Sequence, residues 1–147
     1  MSAQDLALTS AGAIFLTALL TGIWKYRCIM ASPDAQAPPY VDVAHRAALL
    51  YSFACVLLAE LAERSVWPNA VNATAVLASV LFFALAIAGY VQHGWLRDTD
   101  NQFRRPHRVG TRTLPTAVIR GFMGALIVAE VGGLLVLFSG YLASLRG

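Results

Sequence analysis

Charge is what this sequence has least of. Of its 147 residues only 13% are Asp, Glu, Lys or Arg, while 58% are hydrophobic, and the mean hydropathy is +0.62. A water-soluble domain is about half apolar and about a quarter charged. An apolar excess of this size does not fit inside one soluble core, so the bilayer is the natural solvent. Cysteine is scarce as well. Cys28 and Cys55 show no metal-ligand spacing and no CxxCH haem-attachment motif. One falls near a membrane surface and the other inside an apolar run, so both are read as free thiols. The three histidines form no HxxxH or HxxE pattern, which argues against zinc held by one helix. Met-Ser-Ala-Gln-Asp, ahead of the first apolar run, has no positive charge, so that run is read as a retained transmembrane helix rather than a secretory signal. No internal repeat and no low-complexity tract is visible. The net charge is +3, but the basic residues gather in particular loops, which speaks for membrane topology rather than nucleic acid.

What remains is four long apolar runs in one integral membrane domain covering 1–147, at about 6–24, 41–62, 70–91 and 115–142. Each approaches or exceeds the roughly 20 residues needed to span at 1.5 Å rise per residue. The expected fold class is all-α, a four-helix transmembrane bundle. Lys25, Tyr26 and Arg27 close the first run with a basic-aromatic anchor. Pro33, Pro38 and Pro39 keep the following loop non-helical. The first and third loops, with the helix ends beside them, hold Lys25, Arg27, Arg46, Arg97, Arg104, Arg105, Arg108 and Arg112, against Arg64 and Arg146 on the other side. That asymmetry predicts cytoplasmic first and third loops and both termini outside. In the fourth run, Gly121-x-x-x-Ala125 and Ala129-x-x-x-Gly133 are spacings that permit close helix approach, within the chain or between copies.

The chemistry-bearing residues cluster at the start of the second run. Asp42, His45 and Arg46 stand together at the mouth of an apolar helix. Asp42, three residues before His45, lies on the same helical face and is placed to orient the imidazole. An oriented neutral imidazole is a good ligand for a metal or a haem iron. Ser52 shares the face of His45, and Tyr51 is offset from it by about a third of a turn. Ionisable groups inside a bilayer are expensive and point to function. Glu130 lies near the middle of the fourth run, with Arg120 about 15 Å away along the axis, too far to pair. Glu60 lies towards the outer end of the second run. The loop that contains Asn101 and His107 carries several arginines that suit anionic headgroups.

Ala44-His45 at the head of the second run, and Gly89-Tyr90 ending the third ahead of a polar loop with Asn101, resemble styrene oxide isomerase, a family of small four-span bacterial membrane enzymes. The resemblance implies a haem b held between adjacent subunits of a trimer, with ferric iron opening an epoxide as a Lewis acid. It implies His45 as the iron ligand and Tyr90 as a substrate-facing group; beside them, Asp42 and Arg46 are the expected cofactor-side residues and Tyr51 and Asn101 further expected catalytic residues. Six residues after its histidine the family has an asparagine that holds the epoxide, and here that position is Tyr51. The haem site therefore carries over more directly than the isomerase step. A bacterial-type inner membrane, a homo-oligomer and a hydrophobic small molecule are the partners implied. Two other functions fit the residues. One is a non-enzymatic membrane component: a proton or small-solute carrier using Glu60 and Glu130, or a subunit of a larger complex. The other is haem electron transfer with His93 as second ligand.

Overall fold

The structure is a computed structural model, and it describes residues 1–146. Four helices, α1 (Ala3–Met30), α2 (Pro39–Arg64), α3 (Asn69–Leu96) and α4 (Thr116–Ser144), are each long and apolar enough to cross a membrane. The chain is an all-α four-helix bundle of the multi-pass kind, as the apolar runs predict. A two-stranded antiparallel hairpin of β1 (His107–Val109) and β2 (Arg112–Leu114) sits in the third loop, with Val109 opposite Arg112. Sequence reading leaves that hairpin as plain loop. Its two-residue turn opens on Gly110 at φ 59°, a backbone setting that favours glycine.

Local chemistry fixes the helix boundaries. Ser2 and Asp5 make a reciprocal capping box: the Asp5 N–H donates to Ser2 Oγ at 3.0 Å, and the Ser2 N–H donates to Asp5 Oδ2 at 3.1 Å. α2, α3 and α4 each start directly after a proline, Pro38, Pro68 and Pro115, whose fixed φ sets the chain's entry angle; Pro39, expected in the loop, is instead the first residue of α2, where its missing N–H costs no helical bond. α3 stops at Arg97, which adopts the left-handed conformation (φ 50°) while its N–H donates to His93 O at 2.8 Å.

Lipid tails are as apolar as the helices, so van der Waals fit rather than the hydrophobic effect holds a bundle together in a membrane. The core accordingly runs on small residues. Ala3, Ala7, Ala11 and Ala18 line the buried stripe of α1, and Ala44, Ala48, Cys55 and Ala59 answer on α2. α4 attaches to α3 where Gly133 lies against Ser79 and Ala75. Ser79 Oγ donates to Ala75 O at 3.2 Å and reaches Ala129 O at 3.4 Å. A latch at the far end holds Gly140 O to the Val66 N–H at 3.3 Å and the Trp67 Nε1–H to Ser139 Oγ at 3.2 Å. The buried residues of α4 are Gly133, Leu137 and Gly140, all in its C-terminal half. Gly121, Gly124 and Gly132 meet nothing within 4 Å. Of the two small-residue spacings in α4, the one ending at Gly133 therefore serves packing inside the chain.

Candidate functional site

Three places hold the chemistry-bearing residues. The first is His45, in the seam between α1 and α2. Its Nδ1 lies 2.9 Å from the Ala18 carbonyl oxygen. A carbonyl only accepts, so Nδ1 carries the proton and Nε2 is left with its lone pair. Nε2 has no hydrogen bond among the described residues and is not fully buried. The ring fits because α1 has glycine opposite it: a Cβ on Gly22 would stand 2.9 Å from Cε1 and 3.1 Å from Nδ1. On the same stripe of α2, at helical spacings of seven, eight and eleven, lie Ser52, Phe53 and Val56. With Ala11, Gly12 and Phe15 they line an apolar groove of about 260 Å³.

Asp42 does not take the role expected of it. Its carboxylate accepts from Lys25 Nζ at 2.5 Å and from Arg46 Nε at 3.0 Å, and the backbone of α1 orients His45 instead. The long lysine at the end of α1 out-competes an imidazole that already has a partner. Arg46 is exposed, with its charge beside the mouth of the His45 seam.

The second place is a cavity of about 1020 Å³ among α2, α3, α4 and the third loop. It is lined by Tyr51, Tyr90, Gln102, Phe103, Phe122 and Met123, among others. Tyr51 stacks on Phe83 with ring centres 4.3 Å apart, and Tyr90 stacks on Tyr40 at 6.0 Å. Glu130, on α4, has its Oε1 buried with no hydrogen-bond partner. The structure thus brings Tyr51 and Tyr90 to one cavity, and it adds Gln102 and Phe103, which sequence reading passed over. It does not bring in Asn101. That side chain accepts from the Phe103 N–H at 2.9 Å and holds its own turn. Nor does it bring His45 to the tyrosines within one chain, because six residues along α2 turn a side chain by about 120°.

The third place is the cap formed by the third loop. His93 is buried and donates from Nδ1 to Asp98 Oδ1 at 2.8 Å, while Asp98 Oδ2 accepts the Gly110 N–H. Burial pushes the Asp98 carboxyl up, but the bonds from His93 and Gly110 outweigh it and hold the group below its ordinary value. The Tyr40 ring packs on His93 at 5.1 Å, and its hydroxyl accepts the Gln102 N–H at 2.6 Å. Tyr40 precedes His45 by five residues, about 140° away around α2, so His93 and His45 face different ways. One chain does not present them to a common iron.

Glu60 is exposed and pairs with Arg64 at 2.9 Å, so it is a surface ion pair near the helix end. Arg120 is exposed on α4. Cys28 and Cys55 are both free. Among the described residues no group of three or more His, Cys, Asp or Glu is placed to share a metal ion; an axial haem ligand requires no such group. Comparison with protein-family models, with curated proteins and with solved structures found no match to this chain.

Proposed function

We propose that the chain is an integral membrane haem-b protein in which His45 Nε2 would hold the iron, acting on a hydrophobic epoxide or a similar oxygenated substrate. The observation that carries this reading is the imidazole itself. Nδ1–H is fixed on a backbone carbonyl, Nε2 has no hydrogen-bond partner, and an apolar groove lies further along the same α1–α2 seam. Outer-shell hydrogen bonding of this kind sets the tautomer and raises ligand basicity. Arg46 and Lys25, at the mouth of the seam, suit the carboxylates of a haem edge.

When bound, haem b supplies a ferric Lewis acid that polarises an epoxide oxygen. The protein's own contribution lies in the α3–α4 cavity. Its apolar lining takes a hydrophobic substrate and excludes water, and the Tyr51 and Tyr90 hydroxyls are the donors available to an oxygen atom. Epoxide-to-carbonyl rearrangement conserves the molecular formula, so it consumes no water, oxidant or reductant. The His45 groove and the tyrosine cavity lie on different faces of one chain, and the groove is too small to enclose a macrocycle alone. A homo-oligomer that sets the groove of one copy against the cavity of the next completes the site, and a trimer satisfies this. The first and third loops share one end of the bundle, where Trp24 and Trp95 lie 6.4 Å apart, and the basic asymmetry supports a cytoplasmic side for that end.

The test is a hemin titration of the detergent-purified protein, followed by absorption. The wild type forms a Soret band, and His45→Ala loses it while circular dichroism stays helical. A fully helical wild type that stays colourless at excess hemin overturns the reading. It would favour a non-enzymatic proton or solute-handling component, for which the unpartnered buried oxygen of Glu130 is the supporting observation.

A further inference from the structure

A second pocket, of about 480 Å³, opens at the loop end of the bundle between the start of α2, the end of α3 and the third loop. Its wall is rich in arginine: Arg97, Arg104, Arg105 and Arg108. Two acids share the wall, and both are engaged elsewhere. Asp98 accepts from His93 and Gly110, and Asp100 pairs with Arg104 at 2.9 Å. Arg97, Arg105 and Arg108 have no acidic partner among the described residues. His93, also in the wall, has Nδ1 fixed on Asp98, and its Nε2 has no hydrogen-bond partner. Arg97 holds a left-handed backbone (φ 50°) at a helix end where glycine is the usual occupant. Strain of that kind on a non-glycine residue points to a side chain that is needed there. The pocket lies at headgroup depth, since Trp95, at the end of α3, is exposed and amphipathic aromatics settle at the membrane interface.

We propose that this pocket binds the phosphoryl group of an anionic phospholipid, held by the guanidinium forks of Arg97, Arg105 and Arg108 with His93 Nε2 as a further polar contact. Guanidinium forks match phosphate oxygens two at a time, and phosphate charge supplies what the wall lacks. The binding is independent of any haem at His45, because the pocket lies on the His93 side of α2. It fixes the third loop against the bilayer, and that loop supplies Gln102 and Phe103 to the tyrosine cavity.

Native mass spectrometry of the full chain in detergent tests it, with phosphatidic acid as probe and diacylglycerol as the lipid without a phosphoryl group. The wild type retains one phosphatidic acid and no diacylglycerol. Arg105→Gln with Arg108→Gln lowers the affinity by about tenfold per arginine, as expected for a charge-assisted bond. Arg112→Gln, on the same loop but outside the pocket, leaves it unchanged. All three arginines are exposed, so the fold is not at stake, and circular dichroism checks this. Excess inorganic phosphate separates the sources. Lipid that resists it assigns the site to a headgroup; lipid that it displaces assigns the same phosphoryl chemistry to a soluble ligand. Equal retention of diacylglycerol, or Arg112→Gln weakening binding as much as the double variant, overturns the proposal.

Discussion

Gly22→Ala should unseat His45. The new Cβ would stand 2.9 Å from Cε1 and 3.1 Å from Nδ1, inside normal contact distance, so the ring or α1 has to move. Moving the ring forfeits the Nδ1–Ala18 bond, worth about 1 kcal/mol. Overpacking adds roughly 1–3 kcal/mol. Replacing glycine in a helix gives back about 1 kcal/mol. The net is a loss of roughly 1–3 kcal/mol. Gly12→Ala is the matched control, because it lies on the same helix with nothing within 4 Å of its Cβ, so it should gain up to about 1 kcal/mol. Thermal unfolding in detergent therefore separates the two variants by about 1–4 kcal/mol, roughly 2–16 °C for a chain of this size. Hemin affinity follows if His45 is the ligand: loss of the orienting bond lowers it by about 10–100-fold in Gly22→Ala and leaves Gly121→Ala, on α4 with open space and away from the groove, unaffected. Equal melting of Gly22→Ala and Gly12→Ala would refute the packing argument, and equal hemin affinity of Gly22→Ala and Gly121→Ala would refute the ligand assignment.

Gly133→Val drives a branched side chain into Ser79 and the Ala75 carbonyl, so it should lower thermal stability by about 1–3 kcal/mol, while Gly132→Val, with open space, stays within about 1 kcal/mol. Glu130→Gln keeps the shape and removes a buried carboxyl whose Oε1 has no partner. Its melting temperature should equal or exceed that of the wild type, and a large loss would show a bond that the fold requires. Asp98 titrates below its ordinary value of 3.8 in the fold and near that value when unfolded. Between those points the unfolded state binds more protons, so its contribution to stability is complete above about pH 4 and is lost as pH falls through the lowered value. The protection factor of the Gly110 amide, read by hydrogen exchange, should show that acid-side loss in the wild type. In Asp98→Asn the step should vanish, and an unchanged step would assign it to another group.

The bundle was legible because lipid makes helix the economical answer for an apolar run of twenty residues, whatever its neighbours. Helix ends were less legible: α1 runs on to Met30, past the Lys25-Tyr26-Arg27 anchor that was read as its close. The α1–α2 seam was not, since an alanine stripe at Ala3, Ala7, Ala11 and Ala18 reads as plain hydrophobicity until a partner helix shows which face it meets. Spacing placed Asp42 and His45 on one face, but it could not reveal that Lys25 arrives from another helix to take the carboxylate. Tyr51 and Tyr90 share a cavity because three helices converge there, and no local pattern encodes that meeting. The His93–Asp98–Gly110 chain was equally hidden, although a histidine five residues before an aspartate at a helix end was a signal available in the sequence.

α4 has 29 residues, about 43 Å of helix, against a hydrocarbon layer of about 30 Å. Such a mismatch is relieved by tilt. Its buried residues all lie in the C-terminal half, so tilt would displace chiefly the other half, where Val118, Ile119, Phe122, Met123 and Leu126 form one wall of the tyrosine cavity. Bilayer thickness thereby becomes a control on the width of that chamber, set by the acyl chains of the host membrane.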